Sequence, residues 1–130
     1  MDVRPMQVRP MQETNSSNEV VGVVASDSTR LEGLGRQLAA AGYRPLLYGS
    51  TAIALRGLRF IVTAVDAVVI LEGPDLDGVA LAQALDARCV DAPRVVLIAE
   101  REMDPADRQL FAAVDSSAHE LIATVARVLG

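Results

Sequence analysis

The stretch AVVILEGPDLDG, residues 67–78, decides how this chain is read. An apolar run ends on Ile70 and Leu71 and passes directly into a proline-centred loop that closes on Asp77-Gly78. A short, continuous apolar run bounded by turn residues is the pattern of a strand covered on both faces. No carboxylate stands at the end of that strand.

Working toward the N-terminus, residues 50–64 (STAIALRGLRFIVTA) have helical spacing weakened by Gly57, and YRPLLYG before them reads as a strand. Pro45 confines that strand to a sheet edge or to its own first residues, because proline cannot donate to a ladder. Further back, VVGVVA (20–25) is β-branched and apolar, and the next segment places Leu31, Leu34 and Leu38 at helical spacing. Asp27 or Ser28 can cap that helix, and Gly42 sits where a left-handed turn would end it.

Toward the C-terminus, VALAQALDARC returns to helical spacing and PRVVLIA (93–99) is a further buried strand. Asp104 and Pro105 mark the start of a helix that has little room to extend. A weak strand surrounds Val114. A closing helix follows, with a Ser117/Glu120 capping box and Leu121, Ile122, Val125, Val128 and Leu129 on one face. Five strands alternating with helices in about 110 residues imply right-handed crossovers and a parallel sheet. The expected fold is α/β: a flavodoxin-like three-layer sandwich with a five-stranded sheet in the order 2-1-3-4-5, its fourth helix short or missing.

Composition agrees. The 130 residues are 51% apolar with two Tyr, two Phe and no Trp, so aliphatic side chains must fill one core. A net charge of -5 without an arginine-rich stripe disfavours nucleic acid, and no apolar run is long enough to span a bilayer. A cytoplasmic protein is expected. All twelve basic residues are arginine, so no lysine is available for chemistry. The single cysteine, Cys89, excludes an intramolecular disulfide and reads as a structural thiol. Residues 1–18 carry the tandem copy VRPMQVRPMQ without helical or strand periodicity and read as a disordered tail, leaving 19–130 as the folded domain. The duplication is either a docking peptide or an accident of slippage.

Over residues 19–130 the chain resembles the receiver domain of two-component response regulators, chiefly through DAVVILEGPDLDG, where the Pro74-Asp75-Leu76-Asp77-Gly78 turn leads into a helix beginning VALAQAL. The resemblance implies four chemical positions. The phosphoacceptor aspartate would fall at Leu71 counting from Asp66, or at Ile70 counting back from Pro74. The acidic pair for Mg²⁺ falls at Ala25-Ser26 or Ser26-Asp27, the hydroxyl at Ile98 or Ala99, and the lysine at Val114 or Asp115. None of the four is intact. Asp27 alone would hold Mg²⁺ poorly, since that ion is recruited by several carboxylates and phosphate oxygens. The resemblance therefore implies a pseudo-receiver: no phosphotransfer, no metal, no cofactor and no enzymatic activity.

Other residues admit two readings each. Glu72, one past the acceptor position, is a solvated loop carboxylate or a fixed negative charge. Asp75 and Asp77 serve the turn or a metal, and Ser26, Asp27, Ser28 and Thr29 cap the helix or collect an anion at its N-terminus. His119 has no co-ligand and is expected to be exposed. Arg101, Arg108 and Phe111, around the shortened fourth helix, are candidates for a partner surface. The expected function is a phosphorylation-independent protein-protein interaction module, its partner another signalling or regulatory protein; homodimerisation through the last helix is conceivable. The alternative is a small-molecule-binding domain using the strand ends near Ser26, Asp27, Gly73 and Ser116.

Overall fold

A computed structural model describes residues 19–61, 65–88 and 93–130. The expectations for the tail and for Cys89 fall outside the described residues. The chain alternates strands and helices: β1 (Val20–Val24), α1 (Ser28–Ala40), β2 (Arg44–Tyr48), α2 (Thr51–Ile61), β3 (Ala67–Leu71), α3 (Gly78–Arg88), β4 (Arg94–Ile98), α4 (Pro105–Arg108), β5 (Ala113–Asp115) and α5 (Leu121–Leu129), the last preceded by a 3₁₀ turn at Ala118–Glu120. The five strands form one parallel sheet in the order β2-β1-β3-β4-β5, and α4 is a single turn, as the sequence pattern implies.

The strands alternate their side chains between two cores. Val68, Ile70, Val95 and Leu97 pack under α2 and α3, against Ala54, Leu81 and Leu85. Val69, Leu71, Val96 and Ile98 face α1 and α5, against Leu31, Leu34, Leu38, Leu121 and Val125. Central strand β3 is buried along its whole length. Each fully buried leucine, such as Leu38 or Leu97, contributes roughly 1.5–3 kcal/mol of transfer free energy. Pro45 is tolerated because β2 is an edge strand.

Capping fixes where each helix leaves the sheet. Asp27, in extended conformation, accepts the N–H groups of Thr29 and Arg30 on Oδ1, so it and not Ser28 caps α1. Gly42 turns the chain out of α1 at φ 98°, a backbone region that an L side chain rarely adopts. Ser50 Oγ accepts from Ile53 N–H ahead of α2, and Asp104 Oδ1 from Ala106 N–H ahead of α4. One expectation fails. Ser117 Oγ accepts only from His119 N–H at 3.4 Å, and Glu120 makes no side-chain cap. The Ser117/Glu120 capping box does not form because the first turn winds as 3₁₀, and α5 proper starts at Leu121.

Candidate functional site

In a parallel sheet of this order, the loops following the C-terminal ends of the strands gather at one edge and carry the chemistry. The pairing register shows which side chains share a level there. Leu71 pairs with Ile98, Ile98 with Asp115, and Val24 with Ile70, so Ala25 stands beside Leu71. The ladder runs on past the strands: Glu72 N–H donates to the Ile98 carbonyl at 3.0 Å, and Ala99 N–H to that of Asp115 at 2.9 Å.

Ala25, Leu71 and Ile98 belong to the core on the α1/α5 face, at 1%, 5% and 2% exposure. The end of the sheet is therefore floored with hydrocarbon at Ala25, Leu71 and Ile98. Leu71 lines a small cavity of about 280 Å³ with Arg30, Gly73, Pro74, Ile98 and Glu100. Ile70 is wholly buried on the opposite face, so Leu71 is the residue at the mouth of the strand. Ala99 also turns to the α2/α3 face. Asp115 continues the row, but its Oδ2 accepts from the buried Thr124 hydroxyl of α5 at 2.6 Å. Asp115 is thus a carboxylate that anchors a helix.

Asp77 is the N-cap of α3, its Oδ1 accepting from Val79 and Ala80 N–H, while Leu76 turns inward at 2% exposure. A short antiparallel bridge between Gly73 and Leu76 closes the loop that holds them. The Pro74–Gly78 segment is thus a turn, a plug and a cap in five residues. His119 is exposed.

Glu72 is paired rather than freely solvated. Alternation puts it on the α3 side, where its carboxylate is only 13% exposed. Arg101 donates to it in a fork, Nε to Oε1 at 2.6 Å and Nη2 to Oε2 at 3.0 Å. Gly78 N–H, at the start of α3, donates to Oε2 at 3.0 Å. Its cationic partner comes from the segment after β4. The Arg101 hydrogen bond holds the Glu72 carboxyl below its ordinary range, the Gly78 N–H adding to it against the opposing effect of burial.

The sign of the pH dependence follows. A carboxylate with a depressed folded pKa adds stability above its unfolded pKa and loses it as pH falls through the folded value. Glu72→Gln is expected to melt below the parent at pH 7. The gap should close in acid as pH drops through and below the usual glutamate range, which paired thermal melts between pH 7 and pH 2 would check.

Mg²⁺ does not fit this site. Asp27 Oδ1 is occupied by two cap hydrogen bonds, Glu72 by three, and Leu71 offers no oxygen. Among the described residues no three acidic, histidine or cysteine side chains converge as a metal site.

No family model and no curated protein matches the sequence. Solved structures do match. A receiver domain of the CheY-like type from Methylobacillus flagellatus superposes at a TM-score of 0.74, with 21% identity over 86% of this chain and 96% of that one. The response regulator TrrA of Thermotoga maritima, solved with Mg²⁺-BeF, gives 0.71 and 19% identity over 85% and 99%. The chain has the receiver fold. The pseudo-receiver domain of CikA matches at 0.64, with 18% identity over 87% of this chain and 98% of that one.

Within this receiver fold, Arg101 and Arg108 meet on the wall of a groove of about 610 Å³ between the β4–α4 segment and the end of β5. Met103, Val114 and Ser116 also line it. Phe111 does not. It packs half-buried against the α2/α3 core and does not line this groove with the two arginines. The sequence reading also missed the Glu72–Arg101 pair. Its signal was topological: each residue lies just beyond the end of one of two adjacent strands.

Charge is unevenly spread. The strand ends, the segments after them and the first turns they enter hold ten carboxylates and three arginines, a net of -7, while the seven acids and nine arginines elsewhere in the sequence leave +2. No helix among the described residues is long and apolar enough to cross a membrane.

Proposed function

We propose that this receiver-fold chain is a non-enzymatic, phosphorylation-independent module that binds another signalling or regulatory protein. The observation that carries the reading is the row Ala25, Leu71 and Ile98, which closes the strand ends with hydrocarbon. A receiver-type phosphoryl acceptor needs a carboxylate nucleophile and a cation to offset the arriving charge. Here the nearby carboxylate, Glu72, is already neutralised by Arg101, and Asp115 is committed to Thr124. A fold held in one charge-balanced state suits a constant binding surface better than a switch.

TrrA was solved with Mg²⁺-BeF, which makes that pair the direct probe. Amide NMR titration of the full chain with Mg²⁺ and then beryllofluoride is expected to leave the spectrum unchanged, and incubation with acetyl phosphate to leave no acid-labile phosphate. Shifts clustered at Asp27, Leu71, Glu72 and Ala99 would reject the proposal.

A further inference from the structure

After β4 the chain crosses from Ala99 to Asp104 and enters α4, one turn that buries none of its residues. Helical packing contributes little to placing this segment. Its strongest tie is the two-pronged hydrogen bond from Arg101 to Glu72, the one ion pair within 4 Å among the described residues.

The two halves of that pair differ in rigidity. Glu72 directly follows the buried end of β3, and its N–H is bonded to Ile98. Its carboxylate also accepts from Gly78 N–H, and Gly78 is packed so closely that a Cβ there would stand 2.3 Å from Leu97 Cδ1. Arg101 is 49% exposed and hangs from a segment whose other ties are the Ala99 N–H to the Asp115 carbonyl and Met103, half-buried against the α2/α3 core. It also lines two grooves at this end, the 610 Å³ groove toward β5 and a 550 Å³ groove beside Gly73, Leu76 and Asp77, and is the only residue common to the two linings.

We propose that Glu72 and Arg101 form a latch that straps the β4–α4 segment to the end of β3, so that Arg101 stands as the wall between two separate grooves and opening the pair joins them. The planar guanidinium suits the task because two parallel hydrogen bonds fix the direction of the side chain as well as its distance, which an ammonium group would not do. The latch stands on geometry alone and does not depend on the proposed lack of phosphotransfer.

The test is ¹⁵N relaxation on the full chain and on Glu72→Gln, Arg101→Gln, Arg101→Lys and the double variant Glu72→Gln/Arg101→Gln. In both Gln variants the order parameters of Glu100 to Asp104 should fall from about 0.85 to below about 0.6, while those of β3 and β4 stay at the rigid value. Arg101→Lys should restore them only in part, and the double variant should be no looser than either single one, because each substitution breaks the same pair. Unchanged order parameters in Arg101→Gln would overturn the proposal. A double variant markedly looser than both singles would also overturn it, since the two side chains would then be acting separately.

Discussion

Leu71→Asp is expected to destabilise the protein by roughly 3–5 kcal/mol and to gain no phosphoryl group. The side chain is 5% exposed between Ala25 and Ile98, so the new carboxylate would lose its water and find no donor in that row. A buried, unpaired charge either costs several kcal/mol or takes up a proton. Urea melts would show the deficit at neutral pH and its shrinkage in acid, where the carboxyl neutralises. Arg30, on the cavity wall beside Leu71, is the one nearby cation that could soften the effect, so Leu71→Asp/Arg30→Ala should fare worse than Leu71→Asp. Melting unchanged from the parent would mean that water already reaches the end of β3. Label from acetyl phosphate would show that one carboxylate suffices for transfer, against the proposed function.

The close approach of Gly78 and Leu97 predicts a compensating pair. Gly78→Ala would thrust a methyl to within 2.3 Å of Leu97 Cδ1, with Ile70 only 3.5 Å away. Leu97 has no exposed surface into which to retreat. Overpacking of this kind costs typically 1–3 kcal/mol. Leu97→Ala removes the obstructing atoms but leaves a cavity, at about 2–5 kcal/mol. In Gly78→Ala/Leu97→Ala the new methyl enters the vacated space, so the double variant should be more stable than the sum of the single losses by roughly 0.5–3 kcal/mol. Chemical denaturation of the four proteins closes the cycle. Strict additivity would show that helix α3 shifts away rather than pressing on Leu97.

Much of the fold was legible because it rests on local chemistry. Continuous apolar runs marked the inner strands, Pro45 marked an edge, and Gly42 marked the left-handed exit from α1. The hydrophobic spacing of Leu31, Leu34 and Leu38 gave the buried side of α1. The last helix was harder. A Ser-x-x-Glu spacing fits a capping box, but it also fits a 3₁₀ turn, and only tertiary packing of Leu121 decides where the α-helix starts. Counting along the sequence left Ile70 and Leu71 equally eligible; in the fold they face opposite cores, Ile70 toward α2/α3 and Leu71 toward α1/α5. The pairing of Glu72 with Arg101 joins residues 29 apart, so it has no local signature. Nothing about an arginine in a polar loop reveals that its guanidinium is already engaged.

The uneven charge gives the molecule an orientation. With -7 at one end of the sheet, against -5 for the whole sequence, its negative charge is concentrated at the loop end. In the field of a charged neighbour it experiences a torque, so collisions are not random in angle: a positive surface meets the loop end first, and a negative one meets the opposite end. That bias acts only within the screening distance, about 8 Å at physiological ionic strength, and fades as salt is added. Encounter rates with charged partners should therefore carry a salt dependence set by which end is presented, even where the final contact contains no ion pair.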